Sequence, residues 1–141
     1  SCALTTGGRA YCWGGNGFGN LGRDTGEAGA LPAPVNGDLR FQSISCGRSH
    51  SCGLVEGGVP WCWGRNENGE LGTGSDTVDR LRPIVTTGPV TECKSIARGV
   101  QHSCAVRYDD FLWCWGRNNE GRLGLGDTDR RLVPTPICFS D

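Results

Sequence analysis

Cysteine is the residue type whose spacing in this chain points most directly to chemistry. Six of the nine cysteines form three pairs, and in every pair the second cysteine follows the first by ten positions. The pairs are Cys2 with Cys12, Cys52 with Cys62, and Cys104 with Cys114. If the two members of a pair face each other across a hairpin, their Cβ atoms lie about 4.5–5.5 Å apart, near disulfide reach. The spacing therefore favours three disulfides, each stabilising the fold by about 2–4 kcal/mol through its effect on the unfolded chain.

Two other chemistries remain open for these cysteines. As free thiols they would pack as small apolar side chains. His50 and His102 each stand two positions before a cysteine, so a hairpin would offer zinc three ligands. A structural zinc site takes four ligands, commonly with one C-x₂₋₄-C pair, and the sequence contains no such pair. We therefore favour disulfides, assign both histidines to structural positions, and predict no metal and no cofactor.

Three more cysteines, Cys46, Cys93 and Cys138, stand outside the repeated pairs. If the hairpin pairs form, at least one of these three has no partner within the chain because their number is odd. Cys93 and Cys138 are expected near strand ends, where they would pair with each other or with a segment outside these residues. Cytosolic chains seldom carry so many cysteines unless they bind metal or perform redox chemistry, so the count predicts an extracellular, secreted protein.

The bulk composition argues against several classes of function. The 141 residues are the size of one ordinary domain, and their net charge of −1 lacks the basic excess typical of nucleic-acid binding. No apolar run reaches the roughly 18 residues of a membrane span. The sequence has no nucleophile elbow, zinc-protease motif or phosphate loop. Asp127 and Asp129 would suit calcium, but two acidic residues in a loop more often cap a turn. We expect no enzymatic activity, no nucleic acid and no membrane.

The cysteine pairs belong to a sequence repeat of about 50 residues. Ser-Cys-Ala-Leu at Ser1, Ser-Cys-Gly-Leu at Ser51 and Ser-Cys-Ala-Val at Ser103 begin the three units. In each unit the second cysteine is followed by Trp-Gly and then by a run close to Asn-x-x-Gly-x-Leu-Gly. We place the repeats at residues 1–50, 51–102 and 103–141, the last one incomplete, within a single segment of residues 1–141.

Alternation within the hairpins predicts strands with two apolar faces. In Ala10-Tyr11-Cys12-Trp13, Tyr11 and Trp13 share one face and Ala10 and Cys12 share the other, so both faces need cover. Residues suited to tight turns stand midway between the paired cysteines: Gly7-Gly8, Gly57-Gly58 and Asp109-Asp110. A unit of about 50 residues with four short strands fits one blade of a β-propeller, so the predicted fold is all-β.

These motifs resemble the RCC1-type repeat, which is named for the regulator of chromosome condensation. The resemblance is carried by residues 44–51 and 96–103 and by the Trp-Gly runs at residues 12–22, 62–72 and 114–124. It implies blades of a larger, usually seven-bladed ring, of which this chain has about three four-stranded units. Because Met is absent, we expect the chain to come from a longer precursor. It would therefore be a segment of a longer propeller, or would complete one with further copies. The added cysteine pair resembles that of secreted bacterial RCC1-type repeats and, more distantly, CRINKLY4-like receptor-kinase ectodomains.

The resemblance also implies a function, since propellers of this family hold other proteins on a rigid, loop-lined face. Candidate surface residues in these loops are Arg65, Asn66, Arg117, Asn118 and Arg122. The leading expectation is an extracellular module that binds an unidentified protein and performs no catalysis. One alternative is a structural repeat of an extracellular complex or fibre. A second is an intracellular guanine-nucleotide exchange or chromatin-binding module like the founding member, against which the paired cysteines argue.

Overall fold

The computed structural model describes residues 1–74 and 76–139, which form three antiparallel sheets. Blade 1 contains β1 (Cys2–Leu4), β2 (Ala10–Gly14) and β3 (Gly29–Pro34). Blade 2 contains β4 (Phe41–Cys46), β5 (His50–Val55), β6 (Val59–Gly64) and β7 (Arg80–Val85), with a short 3-10 helix, Glu56–Gly58, between β5 and β6. Blade 3 contains β8 (Cys93–Arg98), β9 (His102–Arg107), β10 (Leu112–Gly116) and β11 (Arg131–Ile137). Among these residues, no helix is long and apolar enough to cross a membrane.

The sheets confirm the predicted all-β fold built of about three blades. Consecutive strands pair in each sheet, so every blade is a meander, with three strands in blade 1 and four in each of the others. The blades and the sequence repeats differ in phase by one strand. The sequence repeats that start at residues 51 and 103 begin inside blades 2 and 3, near the start of the second strand of each blade. These second strands are β5, which begins at His50, and β9, which begins at His102.

The hairpin turns adopt the backbone conformation that their residues suggested. Gly8 has a φ of 79° and Gly57 a φ of 80°, in the left-handed region that glycine enters without steric cost. In blade 3 the same role falls to Asp110, whose φ is 68°. Aspartate tolerates this region better than most residues, so the third hairpin closes without glycine.

The hydrophobic core lies between the blades because each strand presents apolar side chains to both sides. We call the side of a sheet that carries the paired cysteines its disulfide face, and the opposite side its Trp face. Trp63 of blade 2, with no exposed surface, lies in one cluster with Ala10, Cys12 and Leu21 of blade 1. In the same way, blade 3 contributes Trp115 to a cluster with apolar residues of blade 2, namely Cys52, Leu54, Cys62 and Leu71. The Trp face of each following blade therefore packs on the disulfide face of the preceding blade.

Paired cysteines lie directly opposite each other in the second and third strands of the four-stranded blades, and in β1 and β2 of blade 1. The structure joins Cys2 to Cys12, Cys52 to Cys62, and Cys104 to Cys114, with 4.1 Å between the Cα atoms of each pair. Each bond closes a loop within a single hairpin, and none of the three crosses from one blade to another.

The other three cysteines are unpaired in the structure. Of the two alternatives predicted for Cys93 and Cys138, the pairing with each other is not seen in the structure. Cys93 begins β8 and Cys138 follows β11, and these are the two edge strands of blade 3. Three strand spacings of roughly 4.8 Å separate the edges, about twice the reach of a disulfide. Cys93 is buried, which raises the pKa of its thiol to about 11, whereas Cys138 is exposed.

Candidate functional site

A polar groove of about 550 Å³ lies between the loops of blades 2 and 3. Blade 2 contributes the loop after β6. Blade 3 contributes three segments: the β8–β9 turn, the loop after β10 and the residues just before β11. The lining residues are Arg65, Glu67, Asn68, Gln101, Arg117, Asn118, Asn119, Thr128, Asp129 and Arg130. The groove therefore contains two of the five predicted surface residues as accessible side chains, Arg65 and Arg117.

Buried asparagines hold the loops that form this groove. Asn66 accepts a hydrogen bond on Oδ1 from the Leu71 amide at 3.0 Å, and its Nδ2 donates to the Asp76 carbonyl at 3.2 Å. Asn118 repeats the arrangement in blade 3, with the Leu123 amide at 2.9 Å and the Asp127 carbonyl at 3.1 Å. Each side chain thus ties the two ends of its loop together across an otherwise irregular backbone.

This arrangement corrects the prediction for the two asparagines. Asn66 and Asn118 have no exposed surface, so neither offers its side chain to a partner. Asn118 lies at the base of the groove, and Asn66 lies outside its lining. Burying an amide is favourable only when its donors and acceptors are satisfied, and both amides find their partners inside their own loops. Their contribution is to make the groove rigid.

Arg117 is held in the groove by two amide side chains. Its Nε donates to Asn119 Oδ1 at 2.8 Å, and a second guanidinium nitrogen donates to Gln101 Oε1. Arg130 reaches across from blade 3 and donates to the Glu67 carbonyl of blade 2 at 3.2 Å. Both guanidiniums are thus held by neutral acceptors, while Arg65 is paired with the Glu67 carboxylate. Three arginines and two acidic residues line the groove, which gives it a small positive excess.

Arg122 does not belong to this groove. Its guanidinium donates hydrogen bonds within its own loop, to Glu120 at 2.7 Å and to Asn119 at 3.1 Å. Sequence reasoning instead missed Gln101 and Arg130, which lie in turns outside the Trp-Gly runs. Gln101 stands directly before the repeated His102, where blade 2 has Ser49, so a comparison of the units at that position would have identified it as a variable side chain.

The acidic residues that would suit calcium have internal partners. The Asp127 carboxylate accepts a hydrogen bond from Arg131 at 2.6 Å and another from the Asp129 amide at 2.9 Å. The hydrogen bond from Arg131 lowers the pKa of Asp127. Asp76 forms the same pair with Arg80 at 2.8 Å in blade 2. Within residues 1–74 and 76–139, no group of three or more potential metal-binding side chains comes together.

His50 lies fully buried where blades 2 and 3 meet. Its Nε2 is 2.9 Å from Ser103 Oγ, and that hydroxyl donates to the Glu70 carbonyl at 2.9 Å. Because a carbonyl only accepts, the hydroxyl proton points to Glu70 and the serine accepts from a protonated His50 Nε2. Burial lowers the pKa of His50 to about 3, so its imidazole is neutral at ordinary pH. The residue therefore has a structural role between two blades.

The comparisons with known proteins give the family. The family model described as "Regulator of chromosome condensation (RCC1) repeat" matches residues 7–54, 57–106 and 109–141. This chain belongs to the RCC1-repeat family. It is similar to the Ultraviolet-B receptor UVR8 of Arabidopsis thaliana, with 39% identity over 130 residues. That match covers 90% of this chain but only 29% of UVR8, so the chain spans less than a third of this relative.

Solved structures of the yeast RCC1 protein Prp20 have the same arrangement of blades. The chain is similar to Prp20p from Saccharomyces cerevisiae with a TM-score of 0.83 and 28% identity, over 99% of this chain and 36% of that one. It is similar to yeast RCC1 (Prp20) in the structure with Kap60 bound, with a TM-score of 0.86, 26% identity, and coverage of 99% and 35%. The three blades of this RCC1-repeat chain therefore correspond to part of a larger propeller in that relative.

Proposed function

We propose that this RCC1-type chain is an extracellular protein-binding module without catalytic activity of its own, and that its partner occupies the groove between blades 2 and 3. One observation carries the proposal: the groove is open and polar, and Arg117 and Arg130 are held in it by neutral acceptors only. Guanidiniums in this state keep their charge and free N–H donors for a ligand.

The chemistry of the groove selects an acidic partner segment. A guanidinium forms paired, charge-assisted hydrogen bonds with a carboxylate, and arginine is enriched among the residues that contribute most to protein interfaces. Arg117 is already oriented by Gln101 and Asn119, and the loops around it are tied by buried asparagines. Such preorganisation lowers the entropic cost of binding. An extended peptide that carries Asp or Glu matches this surface.

The relatives support a protein as the partner. Prp20p has binding properties toward Gsp1p and histones, and yeast RCC1 (Prp20) has been solved with Kap60 bound to it. All of these are proteins bound by a propeller whose blades superpose on those of this chain. We propose that this chain also binds a protein, and that the residues of its own groove determine which protein it binds.

Two features support the other parts of the proposal. Three disulfides within 141 residues are suited to an oxidising, extracellular environment. In the described part of the chain, the groove is lined by arginines, amides, two acids and one threonine, and no histidine or cysteine is among the lining residues. An intact mass of the native protein measured without reductant tests the location. Six missing hydrogens relative to the reduced protein are expected, and no mass difference would favour the intracellular alternative.

The binding proposal is tested by a comparison of two double variants. The biotinylated chain is used to capture proteins from the native extracellular fluid, alongside Arg117→Ala with Arg130→Ala, and Arg9→Ala with Arg40→Ala. The second pair removes the same charge from exposed positions near the blade 1 turns. We expect one protein to be captured by the wild type and the control but lost by the groove variant. Equal capture by both variants would overturn the groove as the binding site.

A structural role in an extracellular assembly is the second candidate function. It is favoured by Cys138, an exposed thiol that has no disulfide partner in the described part of the chain and could bond to another chain.

A further inference from the structure

A second groove lies between blades 2 and 3, at the opposite end of these blades from the polar groove. Its volume is about 600 Å³, and it is lined by Gln42, Gly57, Gly58, Glu92, Tyr108 and Asp109. Blade 2 contributes β4 and the 3-10 helix, and blade 3 contributes the residue before β8 and the β9–β10 turn. Both blades are complete four-stranded sheets in the described part of the chain. We call this space the hairpin groove.

The hairpin groove displays an exposed aromatic ring. Tyr108 directly follows β9 and is 70% exposed. At the same position of blade 2, four residues after the first hairpin cysteine, Glu56 is also exposed, although blade 2 is packed between two other blades. The exposure of Tyr108 is therefore a property of its place in the turn. The face of a tyrosine ring attracts a lysine or arginine side chain electrostatically.

Two carboxylates of the hairpin groove share a single guanidinium. Arg107 Nη2 lies 3.4 Å from a carboxylate oxygen of Glu92 and 3.2 Å from one of Asp109. The side chains of Glu92 and Asp109 are 71% and 44% exposed. One positive charge against two negative charges leaves an excess of one negative charge next to Tyr108. Because each carboxylate has more acceptor sites than this one nitrogen fills, both keep lone pairs for another donor.

The backbone at Glu92 is held in a conformation that suits glycine better than glutamate. Its φ is 56°, in the left-handed region that residues with a side chain seldom enter. The Glu92 amide donates to the Gly57 carbonyl at 2.9 Å, and the Glu92 carbonyl accepts from the Tyr108 amide at 2.9 Å. Gly58 permits this close approach, because a Cβ on it would come within 2.3 Å of the Cys93 amide nitrogen. The fold by itself therefore does not call for a glutamate here, and such strained positions concentrate at functional sites.

The corresponding groove between blades 1 and 2 has a different character. Arg40 precedes β4 as Glu92 precedes β8, so the charge at this position is reversed. Arg40 and Glu56 both line that groove, and their charges cancel. Its aromatic residue, Phe41, is buried and offers no ring face to a ligand. The exposed ring with excess negative charge is therefore not part of the repeated framework of the blades.

We propose that the hairpin groove binds a segment of a partner protein that carries lysine or arginine. The cation lies against the Tyr108 ring, and its N–H groups donate to the carboxylates of Glu92 and Asp109. Gln42 offers its amide to the backbone of the same segment. Charge complementarity selects this occupant, since the negative excess attracts a basic segment and repels the acidic segment that suits the polar groove. The inference is independent of the polar groove and stands if that groove binds nothing.

Peptide titrations on the whole oxidised, isotope-labelled chain test the proposal by nuclear magnetic resonance. The probe is the blocked peptide Gly-Arg-Gly-Lys-Gly, and the neutral control has glutamine in place of both basic residues. We expect the basic peptide to shift the resonances of Glu92 and Tyr108 and to leave those of Arg117 unchanged, and we expect no shifts from the neutral peptide. A third peptide, with glutamate at both positions, reports on Arg117 and the polar groove alone, so that either groove can fail without the other.

Variants of the hairpin groove separate binding from folding. Glu92→Gly removes the carboxylate and relieves the left-handed backbone, so it should keep or raise the thermal stability while it weakens binding of the basic peptide. Tyr108→Leu and Glu92→Gly should each weaken binding about two- to fivefold. Asp38→Asn removes the same charge from an exposed loop of blade 1 and should bind like the wild type.

Several results would overturn the proposal. One is the absence of shifts at the hairpin groove with millimolar basic peptide, and another is equal shifts with the neutral peptide. A third is equal binding by Glu92→Gly, Tyr108→Leu and Asp38→Asn, which would show only general attraction to a charged surface. Shifts at Glu92 and Asp109 with calcium chloride but not with the basic peptide would show an ion site in place of a protein-binding groove.

Discussion

The junction between blades 1 and 2 and the junction between blades 2 and 3 share a framework but differ in what they expose. At both junctions, the backbone amide of an arginine donates a hydrogen bond to a turn of its own blade. Arg65 donates to the Ser49 carbonyl at 2.9 Å, and Arg117 donates to the Gln101 carbonyl at 2.8 Å. At the first junction the Arg65 guanidinium lies 4.8 Å from the centre of the Phe18 ring. At the second, Asn68 holds the position of Phe18, and Arg117 faces a polar groove. The framework is set by the repeated residues, and the polarity of the exposed surface is set by the few positions that vary.

The largest effect should come from the indole that both junctions need. Trp63→Ala and Trp115→Ala each remove a fully buried side chain and leave the Asn20 or Glu70 carbonyl with one donor fewer. We expect a loss of about 3–5 kcal/mol in the free energy of unfolding, measured by chemical denaturation. Trp13→Ala, on the open face, should cost clearly less. Equal losses for Trp13 and Trp63 would contradict the packing described for the blades.

The second effect concerns the buried asparagines, which should matter equally at both junctions. Asn66→Ala and Asn118→Ala each leave a buried leucine amide without its acceptor. An unsatisfied buried amide costs about 1–3 kcal/mol, so both variants should lose that much stability in denaturant unfolding. Asn119→Ala, an exposed neighbour, is the matched control and should change stability little. A surface role for Asn118 would instead predict normal stability and altered binding.

The third effect is a dependence of stability on pH, which is expected at only one of the two junctions. In the unfolded chain His50 takes up a proton below its ordinary pKa of 6.5, but the folded residue does so only near its lowered pKa of about 3. The stability that depends on neutral His50 is therefore complete above pH 6.5 and is lost as the pH falls toward 3. At pH 5 the loss is about 2 kcal/mol relative to pH 8.

This pH effect is measured by urea unfolding at several pH values. His50→Gln keeps a donor toward Ser103 but does not titrate, so it should flatten that part of the profile. Because His50 contacts Ser103 where blades 2 and 3 meet, the sensitivity should lie at that junction. Hydrogen exchange that weakens first between blades 1 and 2 at pH 5 would go against this assignment.

The smallest effect is expected from a substitution that makes the first junction resemble the second. Phe18→Asn gives blade 1 the residue that blade 2 has at Asn68 and removes the ring beneath Arg65. Loss of an exposed cation–π contact costs about 0.5–1 kcal/mol. The variant should therefore remain folded with slightly lower stability, and the side-chain resonances of Arg65 should shift in nuclear magnetic resonance spectra because the Phe18 ring no longer lies against its guanidinium. No change in the Arg65 resonances would show that Phe18 does not restrict it.

Local patterns in the sequence predicted much of this fold. The ten-residue spacing of the cysteines indicated opposed positions in a hairpin, and alternation around Trp13 indicated that both sheet faces need cover. These predictions depend on neighbours along one strand or across one turn. The phase of the blades did not follow in the same way, because the motif that begins a sequence unit need not begin a sheet. Leu31 aligns with Leu81 by sequence, but Gly29 pairs with Gly14 as Arg80 pairs with Gly64, so Ala30 and not Leu31 occupies the register position of Leu81.

The candidate site was less predictable because its residues are far apart along the chain and meet either across the strands of one blade or through the stacking of two blades. Gln101 reaches Arg117 across 16 residues, and Arg130 reaches Glu67 across 63. Nothing in the Asn-x-x-Gly-x-Leu-Gly run by itself shows whether its asparagine points outward or into the loop. The burial of Asn66 follows from the return of the chain at Asp76, an irregular segment with no periodic signal.

The closure of every disulfide within one hairpin has a consequence for how such chains change in evolution. Cys52 and Cys62 are bonded without any contribution from blades 1 or 3, and the other two pairs are equally self-contained. A duplication or deletion of one whole unit in the gene would therefore leave no hairpin cysteine without its mate. The number of blades can therefore change in evolution without any change in the pairing of the hairpin cysteines.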